Sequence, residues 1–214
     1  MREQGRRAGG RGSRRPPAGG ADPAQRVRPD APPSLSALRD HLLAHSVRRG
    51  DFVLKSGRRS NWFVDAKQTA CRPEGMLLMV DGVLSVLPED VTAIGGLTMG
   101  ADPVAFATAA VGNLRGWSLK SFSVRKEAKD HGGGGRIAGA VDPGDRVVLT
   151  EDAVTRGTSL LEAAAVVRAA GADPVMIVTV VDRGGTCAAM AEAEGIDFRA
   201  LVTAPDLGFD YEGP

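Results

Sequence analysis

Two adjacent carboxylates, Glu151 and Asp152, are followed after Ala153 and Val154 by a short run of hydroxyls, a cation and a glycine, Thr155-Arg156-Gly157-Thr158-Ser159. Acidic side chains at that place suit a metal ion or the hydroxyls of a sugar. The run after them suits an anion. Upstream, Val147, Val148 and Leu149 read as a buried strand; downstream, Leu160, Ala163, Ala164 and Val167 recur at helical spacing, and Gly171 supplies a left-handed stop. Ser159 with Glu162 three residues on has the spacing of a capping box. Residues 155–159 therefore fall where a helix start leaves backbone N–H groups without acceptors, and such an end attracts phosphate. The segment is not a Walker A loop, because it lacks the Gly-Lys pair that reaches a nucleotide's terminal phosphates. Neighbouring strand positions point to opposite faces, so Glu151 and Asp152 read as two separate polar contacts rather than a paired acid and base.

Further chemistry lies in three other places. Arg125-Lys126-Glu127-Ala128-Lys129-Asp130-His131 is rich in cations and runs into Gly132 to Gly135. A basic segment on a flexible hinge can close over a polyanion and exclude water; an exposed charged loop has the same composition. Lys55 stands near Trp62 and Phe63, which suits a flat anionic ring or a small core cluster. Arg183 closes an apolar strand, where it can clamp a carboxylate or pair with Asp182.

The elements that must position these groups alternate. A helix carrying Leu38, Leu42 and Leu43 starts at Ser34 or Ser36, and a hairpin pairs 51–55 with 61–65, setting Lys55 against Trp62 and Phe63. Pro73 opens a helix with Met76, Leu77, Val80 and Leu84 on one face, ending before Pro88. Strand 91–94, helix 101–113, strands 118–124 and 146–150, helix 159–170, strand 174–181, helix 187–194 and strand 198–202 follow. The expected fold is α/β: a mostly parallel sheet flanked by helices, with a small N-terminal helix-hairpin hood. In such sheets ligands gather at the carboxyl ends of strands. Gly95-Gly96, Arg125, Glu151-Asp152 and Asp182-Arg183 all fall at such ends and should share one cleft. Residues 125–145 show no periodicity.

Charge divides the chain. Residues 1–33 hold eight arginines against Glu3, Asp22 and Asp30, a net +5, so the remainder carries −4 of the total +1. An acidic body does not wrap nucleic acid. The arm has almost no large apolar residue to repay the entropy of ordering, and no aromatic side chain interleaves its arginines to stack on bases, so it reads as a disordered Arg/Gly/Pro-rich extension. The expected division is 1–33 extension and 34–214 folded domain, with 34–70 as hood and 71–208 as core. No apolar run is long enough to span a bilayer. Cys71 and Cys187 are too few and too separated for a disulfide scaffold or a zinc pair, which points to a reducing cytoplasm.

Taken in order and spacing, residues 34–208 resemble the type I phosphoribosyltransferases, and more narrowly the orotate phosphoribosyltransferase family. The hydrophobic strand, acidic pair and Thr/Gly/Ser loop of 148–159 are similar to the superfamily's signature for phosphoribosyl pyrophosphate (PRPP). The narrower likeness rests on Leu54-Lys55-Ser56-Gly57, Phe63-Val64-Asp65 and Arg125-Lys126-Glu127-Ala128-Lys129-Asp130-His131-Gly132. The resemblance implies transfer of the 5-phosphoribosyl group from PRPP to orotate, giving orotidine 5′-monophosphate and pyrophosphate in pyrimidine (UMP) biosynthesis. It implies that Glu151 and Asp152 hold the ribose hydroxyls while Ala153, Val154, Thr155, Arg156, Gly157, Thr158 and Ser159 cradle the 5′-phosphate. Arg125, Lys129 and His131 would bind pyrophosphate, and Lys126 would reach the neighbouring subunit's site in a homodimer. Lys129, Asp130, His131 and Lys55 form the implied catalytic set, and Trp62, Phe63, Thr155 and Arg183 the orotate contacts. Mg²⁺ is the implied cofactor, bridged mainly through PRPP with help from Asp152.

This chain departs from some members of the family at Leu97-Thr98-Met99-Gly100-Ala101-Asp102, where those members carry an aromatic-lysine pair. Pyrophosphate contacts there would fall to backbone N–H groups of residues 98–100. Trp62 replaces a second phenylalanine. Two alternatives stand beside this reading: a PRPP-binding regulatory protein using the basic arm, and a purine-type phosphoribosyltransferase.

Overall fold

The computed structural model describes residues 35–53, 57–128 and 135–213. The expected arm at 1–33, the helix cap at Ser34, and Leu54, Lys55, Ser56, Lys129, Asp130 and His131 lie outside the described residues. The hood comprises α1 (Leu35–His45), the antiparallel pair β1 (Val47–Val53) and β2 (Arg59–Val64), and the short helix α2 (Lys67–Ala70). The core follows as α3 (Pro73–Val86), β3 (Ala93–Leu97), α4 (Ala101–Leu114), β4 (Lys120–Val124), β5 (Ile137–Gly139), β6 (Arg146–Val154), α5 (Thr158–Ala169), β7 (Asp173–Asp182), α6 (Cys187–Ala193) and β8 (Asp197–Thr203), with a 3-10 turn at Pro205–Leu207.

The six core strands lie in the order β5-β4-β3-β6-β7-β8, parallel except for the edge pair β4–β5. Alternation along β6 decides which helix covers which face. Val147 and Leu149 pack with Leu160, Ala163, Ala164 and Val167 of α5, whereas Val148 joins the opposite layer with Val80, Val83, Leu84, Val104 and Ala105 of α3 and α4. Every one of these side chains is fully or almost fully buried. Each of the valines and leucines contributes about 1.5–3 kcal/mol of apolar burial, which is what holds the sheet between its two helical layers.

Several expectations shift. Leu38 and Leu42 of α1 are buried, but Leu43 is 38% exposed. On α3 the buried face runs through Gly75, Met79, Val80, Gly82, Val83 and Leu84, and Leu77 points outward. The reason is the two small residues: at Gly75 and Gly82 the absent side chains let Thr69 and Leu201 pack against the helix backbone, so the buried face is centred on glycines and not on the largest side chains. β6 extends to Val154, four residues past its expected end, because β7 pairs with it as far as Val154↔Asp182. β5 and α2, absent from the expected element list, are only three and four residues long. At those lengths neither a two-residue nor a 3.6-residue period can be read.

Candidate active site

β3 is flanked by β4 on one side and β6 on the other, so the chain leaves its carboxyl end between diverging connections. Such a switch point opens a crevice in a parallel sheet. β6 enters it with Glu151 and Asp152 still in the strand, both buried. β3 pairs with β6 only through Leu149, so beyond that point β6 meets the turn at Gly100 in place of a paired strand.

The expectation that the two carboxylates face apart does not hold. A Cβ placed on Gly100 would fall 1.8 Å from Glu151 Oε1 and 2.5 Å from Asp152 Oδ1, so both groups converge on this one bare stretch of backbone. Asp152 curls back to accept a hydrogen bond from the Ala153 N–H at 2.9 Å, and the Asp152 N–H donates to Glu151 Oε1 at 3.3 Å. These local bonds turn the side chains out of strict strand alternation. Gly100 is the N-cap of α4, following a cis peptide bond between Thr98 and Met99.

A cation that the sequence reading overlooked completes this corner. Lys67 Nζ on α2 lies 2.7 Å from Asp152 Oδ2, with the lysine 41% and the aspartate 7% exposed. Burial lowers the ammonium's pKa, but the hydrogen bond and charge of Asp152 outweigh it and the net shift is upward, so Lys67 stays charged. Glu151 is raised as well, which for a carboxyl group favours the neutral form. Burial first, and then the charge of Asp152, push it up to about 8. No local pattern marks Lys67, two residues after Asp65; only the docking of hood on core brings it to β6.

The loop after β6 turns tightly into α5. Gly157 takes φ +78 and ψ 0 as the N-cap of α5, a left-handed conformation that glycine adopts without strain. The expected capping box does not form: α5 begins at Thr158, no side chain caps it, Ser159 Oγ instead donates to Glu151 Oε2 at 3.4 Å, and Glu162 pairs with Arg136. Because Leu160 and Leu161 both donate to the Gly157 carbonyl, the preceding N–H groups of the turn have no intrahelical acceptor. An anion seated there would meet them together with the positive end of the helix. The turn is braced from behind by Thr186 Oγ1, which donates to the Thr155 carbonyl at 3.1 Å.

A cavity of about 910 Å³ joins this turn to the hood. Ala153, Val154, Thr155, Arg156, Gly157, Thr158 and Ser159 form one wall, and Arg48, Phe52, Val53, Phe63 and Arg183 the other. The register pairs Trp62 with Arg49 and Phe63 with Arg48. Trp62 and Phe63 therefore face opposite ways: Phe63 stays 37% exposed and lines the cavity, while Trp62 is buried and stacks on Phe209 at 4.4 Å with the planes 4° apart. Arg183 lies over the Trp62 ring at 4.7 Å and the Phe63 ring at 5.9 Å. Its ion-pair partner is Glu212, at 2.7 Å; Asp182, the partner weighed from sequence, instead accepts the Gly184 and Gly185 N–H groups.

Of the four strand ends expected to share one cleft, only the residues that follow the acidic pair of β6 and Arg183 after β7 line this cavity; Glu151 and Asp152 turn instead toward Gly100 beyond β3, and Gly95 and Gly96 do not line it. Arg125 is half-buried at the stem of its loop, where its N–H donates to the Arg136 carbonyl at 2.7 Å and its own carbonyl accepts from Arg136 Nε at 2.7 Å; Lys126 is exposed. Neither lines the cavity. Among the described residues no three acidic, histidine or cysteine side chains cluster as a metal site, and no helix is long and apolar enough to cross a membrane.

No family-level sequence model matches the chain. It is 38% identical over 176 residues to an orotate phosphoribosyltransferase of a Nostoc species, covering 82% of this chain and 85% of that one. It is 40% identical over 157 residues to the Aquifex aeolicus orotate phosphoribosyltransferase, covering 73% and 86%. Among solved structures, the Mycobacterium tuberculosis orotate phosphoribosyltransferase in complex with 5-phospho-α-D-ribosyl 1-diphosphate superimposes with a TM-score of 0.68 at 32% identity, over 83% of this chain and 100% of that one.

Proposed function

The chain belongs to the orotate phosphoribosyltransferase family, and from that premise we propose how its own residues carry the transfer of a 5-phosphoribosyl group from PRPP to orotate, yielding orotidine 5′-monophosphate and pyrophosphate. One observation carries the reading. A single cavity has a helix-start phosphate seat at one wall and an arginine over aromatic rings at the other, a spacing that suits a ribose phosphate meeting a flat carboxylated ring.

The 5′-phosphate sits on the turn at 155–159, held by backbone N–H groups and Ser159, with Thr158 at the first turn of α5. Glu151 and Asp152 accept hydrogen bonds from the ribose hydroxyls, with Lys67 balancing their charge. Phe63 covers one face of the orotate ring, Arg183 and Thr155 meet its polar edge, and Trp62 contributes by carrying Arg183. Lys55, Arg125, Lys129 and His131 meet pyrophosphate, with Asp130 beside them, and Lys126 serves the site of a second subunit in a homodimer.

Cleavage at the anomeric carbon builds positive charge on the sugar and negative charge on the departing pyrophosphate. Cations brought from the 125–131 segment stabilise the second, and orotate, already anionic, needs only its ring nitrogen aimed at the sugar. The donor set fits magnesium, which takes one or two carboxylates together with substrate phosphate oxygens; Asp152 would supply the carboxylate, and the ion would add Lewis-acid help to the leaving group.

The test mixes the protein with PRPP, Mg²⁺ and orotate and follows orotate absorbance together with pyrophosphate release. Turnover should collapse in Lys129→Ala and Asp152→Asn. Consumption of hypoxanthine or adenine in place of orotate would refute the base assignment. Mixing Lys126→Ala subunits with Asp152→Asn subunits should restore partial activity; no complementation refutes the shared site.

A further inference from the structure

The last residues of the chain return to the base wall of the cavity. Glu212 is registered against Arg183 twice over: its N–H donates to the Arg183 carbonyl at 3.0 Å, and its Oε1 accepts from Arg183 Nη2 at 2.7 Å. Its own carbonyl accepts from Arg58 Nη2 of the hood at 2.6 Å, and Ser60 Oγ lies 2.5 Å from the same Oε1. Nη2 of Arg183 also donates to the Trp62 carbonyl at 2.9 Å and approaches Ser60 Oγ at 3.4 Å. One nitrogen of the guanidinium thus carries every hydrogen bond that Arg183's side chain makes among the described residues, and Nε is buried with no partner. A guanidinium has five N–H donors, so Nε and Nη1 keep three unspent.

Which side Glu212 occupies decides its role. Arg183 and Phe63 line the 910 Å³ cavity, and Glu212 does not. Glu212 and Trp62 instead line a separate cavity of about 650 Å³ between the hairpin and the C-terminal segment, with Arg49, Arg58 and Arg59. The carboxylate therefore grips Arg183 from behind the layer of Trp62 and Phe209, outside the substrate space. A competitor for the substrate's carboxylate would sit inside it.

We propose that Glu212 is a positioning residue for base recognition: with Ser60 and the Trp62 carbonyl it fixes the guanidinium plane of Arg183 over Trp62 and Phe63, so that the unspent donors meet the carboxylated ring. The ion pair is almost fully buried, at 8% and 10% exposure, so its geometry is not averaged by water. Holding the plane lowers the ordering cost when the substrate arrives. The segment also makes the base site depend on the hood: Arg58, Ser60 and Trp62 all belong to or border β2, and Glu212 ties them to the end of β7.

The inference rests on Arg183 being an orotate contact, and the test separates the two claims. Initial rates are measured against each substrate for the full-length chain and for Glu212→Ala, Glu212→Gln, Arg183→Ala and the double Ala variant, with a thermal melt of each. Glu212→Ala should raise the orotate KM about tenfold with much less change in the PRPP KM. Glu212→Gln, which keeps an acceptor at Oε1, should recover most of that loss. Arg183→Ala should raise the orotate KM further, and Glu212→Ala should add little in that background, as expected for two residues acting through one contact. If Arg183→Ala is harmful and Glu212→Ala leaves the orotate KM alone, lowers it, or raises both KM values equally, positioning by Glu212 is wrong and the base site stands. If Arg183→Ala does not raise the orotate KM, the base-site reading fails first and takes the inference with it. A chain ending at Asp210 removes the segment entirely and must reproduce the selective loss for orotate even if Glu212→Ala melts early.

Discussion

Glu151 ties folding stability to pH in a direction opposite to most carboxylates. Burial and the neighbouring Asp152 raise its pKa from 4.5 to about 8 in the folded chain, while the unfolded chain restores the ordinary value. Between those limits the folded state holds a proton that the unfolded state has released. Stability from this group is therefore fully present below about pH 4.5 and is lost as pH rises through about 8. The ceiling on that loss is ~5 kcal/mol, at 1.36 kcal/mol for each pH unit of the window. Residual solvent around Glu151 and its strong coupling to its neighbour reduce the working figure to about 1–3 kcal/mol. Glu151→Gln keeps the shape and cannot ionise, so at pH 8 it should melt higher than the parent by about 2–12 °C, at roughly 2–4 °C for each kcal/mol in a chain of this size. The advantage should shrink to nothing near pH 5. The assay is a pair of melting curves at each half pH unit from 5 to 9, read as a difference. A flat difference curve, or one that grows toward acid, refutes the assignment of the raised pKa to Glu151.

Lys67→Met removes the cation from Asp152; because Lys67 is 41% exposed, the stability cost should be only about 1 kcal/mol, while the PRPP KM rises about tenfold as the bare carboxylates repel pyrophosphate. An unchanged PRPP KM would remove Lys67 from the site. Gly100→Ala places a methyl group where both carboxylates converge, and kcat/KM should fall by about two orders of magnitude with orotate and PRPP alike. Activity within threefold of the parent would mean that the loop moves freely. Iodoacetamide at pH 8 should label exposed Cys71 and spare Cys187, whose thiol is pushed up to about 12 by burial and the charge of Asp182; peptide mass mapping reads the result, and equal labelling refutes it.

The local grammar of strand, acidic pair, turn and helix at 147–169 was legible because each part is contiguous and each has a period or a turn residue to mark it. The same holds for the alternating order of β3 to β8, whose apolar runs and intervening helices differ in spacing. Those segments, with the family motifs at 54–57, 63–65 and 125–132, determined the fold class and the reaction. They did not determine the partners of single side chains. Ser159 lies at the right distance from Glu162 for a capping box, yet Ser159 bonds Glu151 and Glu162 pairs with Arg136, because the β4–β5 hairpin brings a stronger partner to Glu162 than a backbone N–H offers.

Two groups at the site come from positions that no local pattern distinguishes. Lys67 meets Asp152 across 85 residues, and Glu212 meets Arg183 across 29. Sequence alone carries local propensity and periodicity, which fix the elements and their order. Charge pairing depends on distances that exist only after the hood and the C-terminal segment have packed on the core. The same packing turns Trp62 inward onto Phe209 and leaves Phe63 at the cavity, a division that two adjacent aromatic letters do not contain. The chain's own residues thus determined what the site handles, and tertiary contact decided which side chains stand close enough to handle it.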